Sequence, residues 1–340
     1  MPVETTNGEK QSKQNKKEKV LILGACGFIG KNLQNFIVEQ ALYKQFDFVG
    51  VDLAVGVKTS EGEYCKMIEC NLIEKGRIRK LLEEERPEYI LNLMGKASGD
   101  DLGELIHLNA TFSEELIKSA NELQENQRPK KILLVGSAAE YGIQKQFPIR
   151  EESELNPQTL YGLSKVIQTQ IFKFYRGRRG AGTTVPLNLV RTFNIIGPYM
   201  PRSLAIGSFV EKIKKYKASG EAICVGNLES RRDFLDVRDV LDAYFQVLLQ
   251  GSPGEIYNVC RGRSIKMQEI WDTLLDAFEV KGAMVVNGAS TDVKSCDLDE
   301  SYGDNSKLKY AFGWGMKLVE EKDALLQSLR AVGTGHWPLT

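Results

Sequence analysis

Histidine is almost absent from the 340 residues, occurring only at His107 and His336, and the six cysteines (Cys26, Cys65, Cys70, Cys224, Cys260, Cys296) lie scattered with no C-x-x-C pair. Neither set has the spacing of a metal site, so no metal is expected. The thiols read as reduced cysteines of a cytoplasmic protein. Excess charge is missing too: 45 Lys plus Arg against 45 Asp plus Glu leaves a formal charge of zero. That balance argues against a chain built to grip nucleic acid or an anionic membrane. No stretch approaches the roughly 18 uninterrupted apolar residues that would cross a bilayer. The opening Met1-Pro2-Val3-Glu4-Thr5-Thr6 lacks the apolar segment of a secretory signal. What remains is ordinary globular composition, 42% apolar and 26% charged, and a length of about two domains at roughly 150 residues each.

Residues 1–19 are rich in Lys, Gln, Asn and Glu and read as a disordered tail. Val20–Leu23 is then an apolar run ending in glycine, the pattern of a buried parallel strand. Leu33, Phe36, Ile37 and Leu42 give residues 31–43 a helical spacing. Further strands are expected at Phe46–Val51, Tyr64–Ile68, Tyr89–Leu93, Lys131–Val135, Leu187–Phe193 and Ile256–Val259. Helices are expected at Ile78–Glu85, stopped by Pro87, and at 101–125. Alternation of strand and helix means βαβ units with right-handed crossovers. The expected fold is α/β, a doubly wound parallel sheet with a smaller C-terminal α/β domain. The sheet domain is expected over 20–193, with 231–260 returning to it, and the second domain over 194–230 and 261–330.

The first strand runs into Gly24-Ala25-Cys26-Gly27-Phe28-Ile29-Gly30. Glycines there permit a tight turn and close backbone approach to a pyrophosphate, and the helix starting at Phe28 and Ile29 aims its N–H groups at the phosphates. Asp52 lies 22 positions past Gly30, at the end of the second strand. A carboxylate there accepts from ribose hydroxyls and repels a 2′-phosphate, which points to NAD(H). Lys58 nearby keeps NADP(H) as an alternative. Asn71 and Leu72 close the third strand, where the Asn side chain can meet the adenine.

Tyr161 and Lys165 stand at i and i+4 and share one helix face. A nearby ammonium favours the phenolate and lowers a tyrosine by roughly 1–3 units from its usual value near 10. Tyr161 is thus a candidate general acid or base at a carbonyl or alcohol. Ser137, at the end of the fifth strand, is placed to polarise the same oxygen.

These segments, with Ser137-Ala138-Ala139-Glu140-Tyr141-Gly142, Tyr161-Gly162-Leu163-Ser164-Lys165, Arg191-Thr192-Phe193-Asn194 through Gly197-Pro198, and Arg232-Asp233-Phe234, resemble the extended short-chain dehydrogenase/reductases that act on nucleotide sugars. The resemblance spans residue 20 to about 315. It is greatest to the GDP-mannose branch, the 4,6-dehydratases and the 4-keto-6-deoxy-mannose reductases. It implies a Rossmann sheet, a nucleotide-sugar substrate held by the second domain, and a homodimer formed through helices 101–125 and 157–176. It implies hydride transfer to C4 of the sugar, with Tyr161 as proton donor, Ser137 on the carbonyl oxygen and Lys165 on the nicotinamide ribose. It implies Asn194, Arg232 and Arg202 as substrate contacts and Asn109 as a support of the active site.

In the dehydratases a Glu two residues past the Thr that matches Ser137 removes the C5 proton. Ala139 stands there in this chain, and Glu140 is one place out of register, so the resemblance implies a reductase. The alternatives are an NAD-dependent nucleotide-sugar 4-epimerase and a reductase of a dTDP- or UDP-linked sugar. Three departures from the family pattern are Leu160 in place of a Pro before the Tyr, Asn71 in place of an Asp, and Lys294-Ser295-Cys296-Asp297 in place of Arg-Pro-x-Asp.

Overall fold

The computed structural model describes residues 16–55, 64–177, 184–281, 285–287, 299–316 and 327–332. Six strands, β1 (Glu18–Leu23), β2 (Phe46–Asp52), β3 (Cys65–Glu69), β4 (Tyr89–Asn92), β5 (Lys131–Ser137) and β6 (Leu187–Thr192), join Ile256–Val259 in one sheet. Its order is β3-β2-β1-β4-β5-β6 and then Ile256–Val259, every pairing parallel. The order reverses between β1 and β4, the place where open α/β sheets leave a crevice for ligands at their carboxyl ends.

Side chains point alternately to the two faces, and both faces are covered, so the central parts of these strands are apolar runs and not alternating ones. Val20 and Ile22 of β1 face one layer with Leu133 of β5; Leu21 and Leu23 face the other with Ile132 and Leu134. The first layer receives Leu33, Phe36 and Ile37 of α1 (Phe28–Glu39). The second receives Ile78, Leu81 and Leu82 of α2 (Arg77–Glu85), Phe112 and Leu116 of a helix over Phe112–Asn121, and Phe172 of the helix Leu160–Arg176. Each fully buried Leu, Ile or Val contributes about 1.5–3 kcal/mol, so both faces are needed to hold the sheet.

Beyond β6 the strands become short. Asn194–Ile196 pairs with Phe234–Asp236, and Arg231–Arg232 lies between Ile265–Lys266 and Glu300–Ser301. A separate apolar cluster forms between the helices Ala205–Ser219 and Met267–Ala277. There Phe209 meets Trp271 edge-on, with centroids 5.2 Å apart.

Three local expectations change. β1 begins at Glu18, two residues inside the expected tail, because Glu18 and Lys19 pair with Phe46 and Asp47 and the Lys19 N–H donates to Glu88. The first helix starts at Phe28 as expected but stops at Glu39 and not at 43, just before Ala41 takes a left-handed conformation, and Leu42 falls in a separate turn. The helix expected over 101–125 is broken: Leu102–Ile106 is α-helical, His107–Thr111 is π-helical, and Phe112–Asn121 resumes the α-helix. One inserted residue turns the helix face by only about 100°, a shift that Leu105, Phe112 and Leu116 do not reveal in the sequence.

A buried ion pair ties the sheet to the turn after β5. Glu140 and Arg191 meet at 2.9 Å with side chains 0% and 1% exposed. Arg191→Met would strand the Glu140 carboxylate in the core. It should lower the unfolding free energy by about 3–5 kcal/mol, read as a drop in the urea midpoint.

Candidate active site

The glycine turn has the geometry its sequence requires. Gly24 sits at φ +82°, and a Cβ there would lie 3.0 Å from the Leu93 carbonyl carbon and the Met94 nitrogen. A Cβ on Gly30 would lie 2.5 Å from the Ala25 oxygen, so α1 packs against the turn only without a side chain. Gly27 caps α1, is exposed, and lends the helix no side-chain acceptor. The first-turn N–H groups at Phe28 and Ile29 therefore keep their capacity for an anion, and the helix dipole favours one there. The turn fits a dinucleotide pyrophosphate.

Asp52 ends β2 beside that turn. Its carboxylate accepts from the Cys26 and Leu53 N–H groups, each at 2.8 Å. Each oxygen retains a lone pair for a ribose hydroxyl. The Asn71 amide donates to Glu74 at 3.2 Å, and Leu72 is buried in the sheet's core. Lys58 lies outside the described residues.

Ser137 ends β5 and caps the short turn Ala138–Glu140. Its Oγ accepts from the Ala139 N–H at 3.2 Å, while its own N–H donates to Glu140 at 2.9 Å. Ser137 also hydrogen-bonds to Tyr161, which stands one residue into the helix Leu160–Arg176. Thr159 caps that helix through the Gly162 N–H. Lys165, on the same face, reaches back to β5: its Nζ donates to the Val135 oxygen at 2.8 Å and to Gln168 at 3.2 Å. The structure thus brings Ser137, Tyr161 and Lys165 together at the carboxyl end of one strand.

The electrostatics differ from the expectation. Burial raises the Tyr161 hydroxyl above the ordinary phenol range, which the Ser137 hydrogen bond only partly offsets. Burial also lowers Lys165 to about 8, with Glu140 pulling the other way. Desolvation dominates Tyr161, and the Glu140 carboxylate raises it further. Tyr161 accordingly holds its proton at neutral pH.

Asn109 sits fully buried in the π-helical stretch. Its Oδ1 accepts from the Lys96 N–H at 2.8 Å, and its Nδ2 donates to Ser164 Oγ at 2.9 Å. Asn194 pairs with Phe234, and Arg232 stands two residues before Phe234, in the short strand that pairs with Ile265 and Ser301. The Asn194 amide donates to the Asp233 oxygen at 2.9 Å, and Arg232 to the Arg231 oxygen at 2.9 Å. The neighbouring Asp233 carboxylate collects the N–H groups of Arg261, Gly262 and Gly303, which anchors the segment. The Arg202 side chain is 81% exposed and ion-paired with Glu211. Residues 294–297 lie outside the described residues.

Gln168, Ser113, Asn92 and the Glu140–Arg191 pair were not singled out from the sequence. Gln168 is seven positions past Tyr161, so the stripe 161, 164, 165, 168 was the available signal. A test of the turn compares two glycines. Gly30→Ala forces a Cβ onto fixed backbone and should cost about 1–3 kcal/mol. Gly27→Ala meets only the Gly24 oxygen, at 3.4 Å. Scanning fluorimetry should show a lower melting temperature for the first and an unchanged one for the second.

Among curated proteins, GDP-6-deoxy-D-mannose reductase of Pseudomonas aeruginosa is 26% identical over 93% of this chain and 96% of its own length. GDP-6-deoxy-D-talose 4-dehydrogenase of Aggregatibacter actinomycetemcomitans is 25% identical over 87% and 91%. Among solved structures, RMD from Pseudomonas aeruginosa complexed with NADPH superposes with a TM-score of 0.74, at 24% identity over 94% of this chain and 98% of that one. At that identity the superposition speaks for the fold. The model of the NAD dependent epimerase/dehydratase family matches residues 20–260. The chain belongs to that family.

Proposed function

We propose that the chain is an NAD(P)H-dependent reductase of a nucleotide-linked 4-keto-6-deoxy sugar, with GDP-4-keto-6-deoxy-D-mannose the leading substrate. One observation carries the chemistry: Tyr161, hydrogen-bonded to Ser137 and aligned with Lys165, stands at the carboxyl end of β5. Ala139 follows where elimination would need a base, and Glu140 is committed to Arg191. The likeness to GDP-6-deoxy-D-mannose reductase supports the nucleotide and the sugar.

The Gly24–Gly30 turn would hold the pyrophosphate of a nicotinamide dinucleotide, which when bound would supply the hydride for C4. Tyr161, kept protonated by burial, gives its proton to the oxygen at C4. Ser137 hydrogen-bonds that oxygen and holds it beside the Tyr161 hydroxyl. Lys165 has one N–H beyond its two protein partners; that donor serves the nicotinamide ribose, and its charge stabilises the Tyr161 phenolate left behind. Asp52 favours NADH by accepting from the adenosine ribose. Asn194 and Arg232 meet the nucleotide diphosphate, Arg232 by charge-assisted hydrogen bonds, and Arg202 reaches the same substrate.

The test follows NADH and NADPH absorbance with GDP-4-keto-6-deoxy-mannose made in place by a dehydratase. Consumption of NADH with a GDP-deoxyhexose product is expected. Bound NAD and no net consumption would instead indicate the 4-epimerase, and turnover only of a dTDP- or UDP-linked sugar would change the nucleotide. Tyr161→Phe should lower kcat by about 10²- to 10⁴-fold. The Lys165 ammonium loses its proton as pH rises through about 8, so kcat/KM should fall on the alkaline side from there.

We further read the chain as a cytoplasmic homodimer. Five described cysteines are free, and no described helix is long and apolar enough to cross a membrane. Leu160, Leu163 and Phe174 leave apolar surface exposed on the helix that carries Tyr161. Light scattering should give about 76 kDa, twice 38.1 kDa. Phe174→Glu should halve that mass.

A further inference from the structure

One buried polar chain beside Lys165 has no part in the chemistry above. Gln168 is fully buried. Its Oε1 accepts from Lys165 Nζ at 3.2 Å, and its Nε2 donates to Ser113 Oγ at 2.8 Å. Ser113 Oγ also receives the Asn92 amide at 3.4 Å and donates to the Asn109 backbone oxygen at 3.3 Å. An ammonium has donors only, so the Gln168 carboxamide has one workable orientation and the chain runs one way, from Lys165 to Asn109.

Asn109 closes the arrangement from the other side. Its side chain donates to Ser164 Oγ, which donates to the Tyr161 backbone oxygen at 2.7 Å. The stripe 161–164–165–168 is therefore held at two points, Ser164 by Asn109 of the π-helical stretch and Gln168 by Ser113 at the start of the α-helix that follows it. Asn92, Asn109, Ser113 and Gln168 are all uncharged. Among the described residues, Glu140, from the turn after β5, is the charged group that acts on both Lys165 and Tyr161, and Tyr161 in turn acts on the buried Tyr244 hydroxyl.

We propose that Gln168 is a positioning residue: it aims the Lys165 ammonium and sets the pH range over which that group keeps its charge. The kinetic consequence rests on the reductase reading, whereas the titration itself does not. Hydrogen bonding to a charged form favours it, and an adjacent carboxylate favours it further. Gln168→Leu removes the acceptor, and Gln168→Glu replaces it with an anion of the same reach.

The test uses the full chain with lysine carrying ¹³C at Cε, the Lys165 resonance being the one lost in Lys165→Arg. Titration by NMR, with and without NAD(P)H, should move about one unit higher in Gln168→Glu and lower in Gln168→Leu. The alkaline limb of kcat/KM should move in the same directions. An unchanged Lys165 titration in the variants would overturn the inference even where sugar reduction persists. Shifted titrations with no sugar reduced would retain Gln168 and overturn the reductase. Should Gln168→Leu fail to fold, Gln168→Glu still decides, because it keeps an acceptor in place.

Discussion

The Glu140 carboxylate holds the reactive corner of the molecule in place. It is fully buried and takes the Ser137 N–H on one oxygen and Thr169 and Arg191 on the other. Thr169 belongs to the helix that carries Tyr161, and Arg191 belongs to β6. One anion therefore joins β5, β6 and the Tyr161 helix. An anion so deep persists only with this many donors, since an unpaired one would be too costly to bury. Arg191 in turn donates to the Tyr141 hydroxyl at 3.0 Å, and Tyr141 to Asn258 at 2.6 Å, which extends the lattice to the last strand of the sheet. The Ser137 position is thus set by long-range contacts and not by its loop alone.

The same low-dielectric setting governs the acid–base groups. Burial keeps a proton on Tyr161 and loosens the one on Lys165, so Lys165 becomes the more acidic of the two and they lie further apart than free side chains would. A phenol that stays protonated is the right starting state for giving a proton to a carbonyl oxygen. A lysine near 8 is still largely charged at neutral pH, and so able to stabilise the phenolate that results.

Legibility in the sequence followed the range of the interactions. Val20–Leu23 and Ile256–Val259 were readable because a parallel strand buried on both faces needs an unbroken apolar run. Gly24 and Gly30 were readable because backbone sterics leave no room for a side chain, and Asp52 because a carboxylate at the end of the second strand has a definite role toward a ribose. The Tyr161–Lys165 spacing gave the shared face, and the comparison with known proteins is consistent with the fold. The acidity of Tyr161 was not readable: it depends on how deeply β5 and the turn after it bury the hydroxyl, a tertiary property. Nor was the π-helical stretch, since Leu105, Phe112 and Leu116 keep the look of a continuous amphipathic helix. Gln168 reads as an ordinary polar residue until Ser113, 55 positions earlier, is placed against it.

The π-helical stretch also constrains how this gene can change. Removing one residue from His107–Thr111 would restore an α-helix, and everything on one side of the deletion would turn by about 100° relative to the other. Asn109 would swing off Lys96 and Ser164, and Ser113 off Gln168. Surface loops elsewhere absorb insertions and deletions readily. Here chain length itself is under constraint, so descendants of this sequence should vary in residue identity across 107–111 far more freely than in residue number.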